Sequence, residues 1–219
     1  MKINTDGVLL GALAEVSALD KVLDIGTGTG VISLMLAQRF PDAKIDAVEI
    51  DSSASATARN NFALSPFSDR LQLIDSSFQE YGKRGDVTKY DLIVTNPPFF
   101  LNSLKNPDHQ KKLARHAEKG FYEDLVRFVQ ERLSQKGEFW LILPSEAAFQ
   151  TRELAKAVGL HLTRIIEVKS FAEDQPHREV LVFSRLMKKK DLATLVIYAA
   201  QNSYSEAYRS LLRDFLIIF

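Results

Sequence analysis

The sequence predicts an α/β protein with a doubly wound, mostly parallel sheet that ends in an antiparallel edge strand. Three observations support this fold class. Strand-like and helix-like segments alternate over most of the chain, a glycine-rich segment directly follows the first strand, and loops rather than helices separate the last three strand-like segments. The 219 residues suit a single domain over residues 1–219.

The spacing of apolar residues indicates each element. Short runs rich in β-branched residues predict strands at 21–26, 44–50, 71–74, 90–95, 138–143, 162–168, 179–183 and 194–197. Apolar residues at helical spacing predict helices at 31–40, 52–64, 121–133 and 146–158. Gly137 and Gly159 are expected to end the last two of these helices. The polar segments 101–120 and 170–178, which contain proline, are predicted to be substrate loops.

Composition excludes several classes of function. Lysine plus arginine and aspartate plus glutamate both number 28, so the net charge is zero and a generally basic coat for nucleic acid is excluded, although a local basic patch is not. The absence of cysteine excludes disulfides, thiolate metal sites and cysteine nucleophiles. The histidines show no metal-ligand spacing, so no metal is expected. No apolar run is long enough to span a bilayer and the N-terminus lacks a signal-peptide pattern, which predicts a cytoplasmic protein without a membrane partner.

The segment Asp-Ile-Gly-Thr-Gly-Thr-Gly at 24–30 is the strongest cofactor signal. It follows a predicted strand and opens a helix, where glycines allow backbone to approach a ligand closely. Val31 stands where a dinucleotide fingerprint needs glycine or alanine, and Glu49 ends the next strand, where a carboxylate can accept hydrogen bonds from both ribose hydroxyls. The alternative is a plain glycine turn. The candidate cofactor residues here are Asp24, Gly26, Gly28, Gly30 and Glu49.

This arrangement resembles motif I of the class I S-adenosylmethionine-dependent methyltransferases. The resemblance implies the Rossmann-like fold of that class, with a seven-stranded sheet, and S-adenosylmethionine as cofactor. The cofactor carries an amine, which an acid near the loop can hold. The resemblance implies that Ser77 and Phe78 meet the adenine, with Asp75 as a substitute for the serine. Thr5 or Asp6 can cap an N-terminal helix within residues 1–20 and lie near the methionine end of the cofactor.

A second signal is Asn-Pro-Pro-Phe at the end of a buried strand, which resembles the motif of methyltransferases that act on planar nitrogen. An aromatic amine or a carboxamide is a poor nucleophile because its lone pair is delocalised. The Asn96 side-chain oxygen and the Pro97 carbonyl can accept its two N–H bonds, and proline has no N–H that competes as a donor. Phe99 can stack on the acceptor. The alternative is a rigid turn. The candidate catalytic residues are Asn96, Pro97, Pro98 and Phe99.

The chain resembles the bacterial tRNA1(Val) adenine-37 N6-methyltransferase family over nearly its whole length. The segments that carry this resemblance include YDLIVTNPPFF in the middle of the chain. The most specific are MKINTDGVLLGA at the start and NSYSEAYRSLLRDF near the end. The resemblance implies transfer of a methyl group from S-adenosylmethionine to the exocyclic N6 of a flipped adenosine in tRNA. It also implies a tRNA partner and the cofactor and acceptor residues named above.

A neutral protein that binds tRNA needs positive charge concentrated near its pocket. Candidate RNA-binding side chains follow the Asn-Pro-Pro segment or lie by the second loop, and they are Lys105, Lys111, Lys112, Arg115, His116 and Arg178. The alternative is an ordinary solvated surface.

Two other functions remain open at the sequence level. A protein glutamine N5-methyltransferase would present a carboxamide to the same Asn-Pro-Pro pocket. A non-catalytic cofactor-binding and RNA-binding protein would have little use for two aligned acceptors.

Overall fold

A single sheet of eight strands organises the computed structural model, which describes residues 4–16, 20–85, 88–97 and 109–217, with backbone only for 109–119. The strands are β1 (Lys21–Ile25), β2 (Lys44–Glu49), β3 (Leu71–Asp75), β4 (Tyr90–Thr95), β5 (Leu133–Leu143), β6 (His161–Lys169), β7 (Arg178–Ser184) and β8 (Asp191–Val196). A small hairpin of β9 (Tyr198–Ala200) and β10 (Ser203–Tyr204) follows.

The strand order is β3-β2-β1-β4-β5-β7-β6-β8, which confirms the Rossmann-like fold. Strands β1 to β5 pair in parallel, whereas β7 is antiparallel to both β5 and β6. The antiparallel pairing therefore lies near the end of the sheet that the late strands form, as predicted. The expected count of seven strands is wrong by one, because β8 pairs in parallel outside β6. The reversed strand is consequently an inner strand, third from that edge.

Helices cover both faces of the sheet. They are α1 (Thr5–Leu13), α2 (Val31–Arg39), α3 (Ser52–Leu64), α4 (Phe78–Gly82), α5 (His109–Arg132), α6 (Ser145–Ala157) and α7 (Glu206–Leu212), with a 3-10 turn at Ser68–Arg70. Strand residues alternate between two apolar cores, as the two-residue side-chain period of a strand requires. Leu92 belongs to the core under α1, α2 and α7, whereas Ile93 belongs to the core under α4, α5 and α6.

Three predicted boundaries are wrong. Helix α5 already begins at His109, so the second half of the predicted loop 101–120 is helical. It ends at Arg132, and Gly137 lies inside β5 instead of ending the helix. A Cβ at Gly137 would lie 2.8 Å from the backbone oxygen of Tyr90, so glycine permits the close approach of two strands there. Helix α1 begins at Thr5 and is capped by Asn4, not by Thr5 or Asp6.

Other boundaries agree with the prediction. Helix α3 covers the predicted 52–64 and is capped by Asp51, and Gly159 has a φ of 82° just after α6, as a glycine that closes a helix does. Within the described ranges, every helix is too short or too polar to cross a bilayer.

Candidate active site

A cleft opens at the carboxyl ends of β1, β2, β3 and β4, where open α/β sheets place their ligands. Strand order reverses here, because β2 and β3 lie on one side of β1 and β4 lies on the other. The cleft holds a cavity of about 500 Å³. Predicted residues on its wall are Gly26, Gly28, Glu49, Ser77, Phe78, Asn96 and Pro97. The wall also includes Asn4, Gly7, Ile25, Thr27, Thr29, Val31, Ile32, Val48, Ile50, Ser76, Gln79, Thr95 and Phe121.

The glycine loop between β1 and α2 forms the floor of the cavity. Gly26 has a φ of 70°, and a Cβ added there would meet no atom within 4 Å, so the glycine leaves open space beside the cavity. Gly30 has a φ of 88° but does not line the cavity, and a Cβ there would collide with the ring of Phe62 on α3. The first glycine therefore makes room for a ligand, whereas Gly30 packs the loop against a helix.

Asp24 lies beneath this loop and is not part of the cavity wall. Its Oδ2 accepts hydrogen bonds from the hydroxyls of Thr27 at 2.6 Å and Ser33 at 2.7 Å. Burial raises the pKa of the Asp24 carboxyl from 3.8 to about 6, against these hydrogen bonds, which favour the charged form. Oδ1 is buried without a hydrogen-bond partner among the described residues. Asp24 therefore stabilises the turn of the glycine loop through its bonds to Thr27 and Ser33, and it does not reach the cavity.

Glu49 presents a fixed carboxylate to the cavity. One oxygen accepts the N–H of Gly28 and the other that of Asp51, both at 2.8 Å. Each oxygen keeps acceptor capacity for a further donor, such as one of two neighbouring hydroxyls. Ile50 lies beside it on the wall with 75% of its surface exposed, so an apolar face adjoins the carboxylate.

The end of β3 supplies the adjacent wall. Ser77 caps α4 by accepting the N–H of Glu80 at 3.1 Å, and Phe78 packs edge-on against Phe121 with ring centroids 5.5 Å apart. Asp75, the predicted substitute for Ser77, instead bonds Ser55 and Arg59 of α3 and is not on the wall. The structure therefore favours Ser77 over Asp75 as a cavity residue.

Asn96 and Pro97 lie on the opposite side of the cavity, directly after β4. Strand β4 is held to β1 at this point by the Thr95 hydroxyl, which donates to the Ile25 carbonyl at 2.8 Å. The Asn96 side-chain nitrogen donates to Oδ1 of Asn4 at 3.2 Å. Pro98 and Phe99 lie outside the described residues. One cavity thus joins a fixed carboxylate and apolar side chains to an amide that can accept a hydrogen bond.

Comparison with known proteins identifies the family. A family model for the methyltransferase small domain matches residues 5–171. A Pedobacter heparinus protein named tRNA1(Val) (adenine(37)-N6)-methyltransferase is 45% identical over 219 residues, which are 100% of this chain and 92% of the relative. The chain belongs to the tRNA1(Val) (adenine(37)-N6)-methyltransferase family. A Trichodesmium erythraeum relative of the same name is 40% identical and covers 99% of this chain and 91% of its own.

Solved structures show that this family member has a methyltransferase fold. A protein of Agrobacterium tumefaciens titled as a predicted O-methyltransferase superposes with a TM-score of 0.73 at 16% identity, covering 95% of this chain and 96% of its own. An O-methyltransferase from neocarzinostatin biosynthesis, solved with S-adenosylmethionine and a naphthoic acid, has a TM-score of 0.57 at 15% identity over 80% of this chain and 52% of its own.

Besides Asp24 and Gly30, three further predicted residues of this methyltransferase are placed differently from the expectation. Thr5 is exposed and absent from the cavity wall. Asp6 forms an ion pair with Arg178, the predicted RNA contact, at 2.8 Å between carboxylate oxygen and guanidinium nitrogen. The pair joins the first turn of α1 to the start of β7.

The predicted basic surface lies almost entirely outside the described part of the chain. Lys105 falls in the undescribed segment, and only the backbone of Lys111, Lys112, Arg115 and His116 is described, as part of α5. Their contact with RNA stays a prediction. Among the described residues, no cluster of histidine, cysteine or carboxylate side chains has the arrangement of a metal site.

Sequence reasoning missed three notable wall residues of this methyltransferase: Asn4, Ile50 and Phe121. Asn4 had a usable signal, because asparagine is a favoured N-cap and stands one residue before the predicted caps. Ile50 had a weaker one, as an apolar residue directly after the carboxylate that ends β2. The helical spacing of Phe121 indicates a core residue instead of a cavity residue.

Proposed function

We propose that this enzyme transfers a methyl group from S-adenosylmethionine to the exocyclic N6 of adenosine 37 in tRNA1(Val). Membership of the family supports the reaction and the substrate. The observation that carries the proposal is that Asn96 and Pro97 share one cavity with the glycine loop and Glu49. A cofactor bound along the loop and an amine held by Asn96 would therefore meet inside the same 500 Å³ space.

The cavity wall fits the parts of the cofactor. The Glu49 carboxylate, fixed by two backbone N–H groups, would accept the two ribose hydroxyls. Ile50 and Phe78 supply apolar surface for the adenine, and the open space at Gly26 admits the chain that carries the sulfur. Asp24 would act on the amine through the loop that it holds, since it does not reach the wall. When bound, S-adenosylmethionine supplies an electrophilic methyl carbon on a positively charged sulfur, which keeps the bonding electron pair.

The acceptor end makes an inert amine nucleophilic. The side-chain oxygen of Asn96 and the carbonyl of Pro97 would each accept one N–H of the adenine amine. Two acceptors on one side favour a pyramidal nitrogen whose lone pair points away from them, toward the methyl carbon. The nitrogen forms the new bond to carbon, and one amine proton then leaves to water. Pro98 and Phe99 complete this acceptor site in the proposal.

A methyl-transfer assay with three acceptors tests the function. Labelled S-adenosylmethionine is incubated with a tRNA1(Val) transcript, the same transcript with guanosine at position 37, or a release-factor peptide with a glutamine acceptor. We expect label in the first transcript only, and N6-methyladenosine at position 37 by mass spectrometry of digested RNA. Label only in the peptide would overturn the proposal in favour of the glutamine methyltransferase, and label in none would favour a binding protein.

The same assay tests the role of Asn96. Asn96→Ala is expected to bind S-adenosylmethionine within about twofold of the unsubstituted protein and to lower turnover about 100-fold, the scale of one lost transition-state contact. Asn60→Ala, on the exposed face of α3, serves as the matched control and should leave turnover unchanged. Normal turnover in Asn96→Ala would contradict the assigned role.

A further inference from the structure

A chain of hydrogen bonds runs from the start of α1 to the acceptor site. Oδ1 of Asn4 accepts the backbone N–H of Gly7 at 2.8 Å, as an N-cap does. The same oxygen accepts from Nδ2 of Asn96 at 3.2 Å. Asn4 and Asn96 are 92 positions apart in sequence, so the fold alone brings them together.

These two hydrogen bonds determine which way the Asn96 amide faces. A backbone N–H can only donate, so the Asn4 atom that faces Gly7 has to be the side-chain oxygen. An oxygen at that place attracts the NH₂ group of Asn96 and repels its carbonyl oxygen. The Asn96 carbonyl oxygen is therefore held on the far side of its amide from Asn4. A flipped Asn96 would bring two acceptors together and lose the hydrogen bond.

The first turn of α1 leaves space for this pair. A Cβ added at Gly7 would lie 3.1 Å from Oδ1 of Asn4 and 3.7 Å from Nδ2 of Asn96. The first of these distances is closer than ordinary van der Waals contact. The second is an ordinary contact. Glycine at this position, inside a helix, therefore lets the first turn of α1 lie close to the Asn4 amide, although it is a poor helix former.

Helix capping alone would not require asparagine at position 4. Serine, aspartate and asparagine are about equally effective N-caps. Serine has a shorter side chain, so it would cap α1 without reaching Asn96. Asparagine and aspartate can do both.

We propose that Asn4 is a positioning residue, which holds the Asn96 amide with its oxygen presented to the exocyclic amine of the acceptor. The proposal rests on the proposed function, because it assigns Asn96 the role of hydrogen-bond acceptor. Asn4 itself does not touch the reacting atoms. It excludes the flipped amide, whose NH₂ group would face the N–H bonds of the acceptor and could not accept them.

Two substitutions separate capping from positioning. Asn4→Ser is expected to lower kcat about tenfold, while the melting temperature stays within about 2 °C and the S-adenosylmethionine Kd and tRNA KM stay within about twofold. Asn4→Asp keeps an oxygen facing both Gly7 and Asn96 and is expected to restore kcat to within about threefold of the unsubstituted enzyme. Equal kcat for Asn4→Ser and the unsubstituted enzyme would overturn the proposal.

A double substitution tests whether Asn4 acts through Asn96. In an Asn96→Ala background, Asn4→Ser should change kcat by less than about twofold, because no amide remains to be oriented. A full tenfold loss in that background would mean that Asn4 acts by another route and would refute the positioning role.

A measurement without substrate keeps the proposal independent of the proposed function. The side-chain NH₂ signal of Asn96 in a ¹⁵N-correlated NMR spectrum is assigned by its loss in Asn96→Ala. Its exchange with water should be slower in the unsubstituted protein than in Asn4→Ser. Identical exchange in the two would overturn the positioning role even if the tRNA is methylated. If no acceptor is methylated, the function fails, whereas slower exchange would still support the hydrogen bond.

Discussion

Asp24 places a buried carboxyl group beneath the glycine loop. Burial raises its pKa from 3.8 to about 6, so the folded protein holds this proton more tightly than the unfolded chain. The resulting stabilisation is fully present below about pH 4 and is lost as the pH rises through about 6. A pKa difference of this size between the folded and unfolded states corresponds to about 3 kcal/mol in the free energy of unfolding.

Asp24→Asn removes this titration. The free energy of unfolding of the variant, measured relative to the unsubstituted protein, is therefore expected to rise by about 2.5 kcal/mol between pH 4 and pH 7.5. Urea unfolding of both proteins at the two pH values measures the difference. A difference that does not change with pH would contradict the raised pKa.

Single residues at the site were predictable where the chemistry restricts residue type. Gly26, Glu49 and Asn96 were predicted from residue type and position after a strand, and all three line the cavity. Their roles toward a cofactor and an acceptor stay predictions. Asp24 has the expected position in sequence, but its contacts to Thr27 and Ser33 depend on how the loop turns back over it. The partner of Asn96 could not be predicted, because it depends on a contact between the start of the chain and β4.

At the scale of elements, the Asp6–Arg178 ion pair connects α1 with β7. Its side chains are 16% and 27% exposed, so solvent screens the pair only in part. Both Asp6→Asn and Arg178→Gln are expected to lower the free energy of unfolding by about 1 to 3 kcal/mol. The double variant should lose less than the sum of the two, because both substitutions remove the same interaction.

Binding of tRNA distinguishes the ion pair from the predicted RNA contact of Arg178. If the arginine acts through Asp6, the two single variants should have equal effects on tRNA affinity in a filter-binding titration. A selective loss of affinity in Arg178→Gln would instead support a direct contact with RNA.

Element boundaries were predictable where a local signal sets them and not where a neighbour does. Helix α3 begins after Asp51, whose side chain accepts the N–H of Ala54, and this cap is visible in the sequence. Gly137 has the local character of a helix end, yet it lies in β5 beside the Tyr90 carbonyl. The short helix α4 likewise depends on packing, because its Phe78 contacts the rings of Phe121 and Phe128 on α5.

Across the whole molecule, the first and last helices share one apolar core. Tyr208 and Leu212 of α7 are buried in the same cluster as Leu9 and Leu10 of α1. Leu212→Ala is expected to lower the free energy of unfolding by about 2 to 5 kcal/mol in a urea titration. Leu64→Ala, at a side chain that is 87% exposed, is the matched control and should change it by less than about 0.5 kcal/mol. An equally small effect at Leu212 would refute this packing.

The topology of the sheet was predictable in outline. The alternation of strands and helices predicts the parallel part, and the absence of helices between the late strands predicts the reversal at β7. The sequence alone did not place β8 outside β6, since most of its residues are exposed and the strand has a weak apolar pattern. The place of β8 in the strand order depends on its pairing with β6, which no local pattern indicates.

The exposed Ile50 at the rim of the cleft has a thermodynamic consequence. A flat aromatic base that binds against Ile50 would displace ordered water from the apolar surface of this side chain. Burial of apolar surface gives binding a negative change in heat capacity. The enthalpy of nucleoside association should consequently become more favourable on warming. The cofactor and its demethylated product carry the same base, so both would share this signature, and the enzyme would distinguish them chiefly at the sulfur.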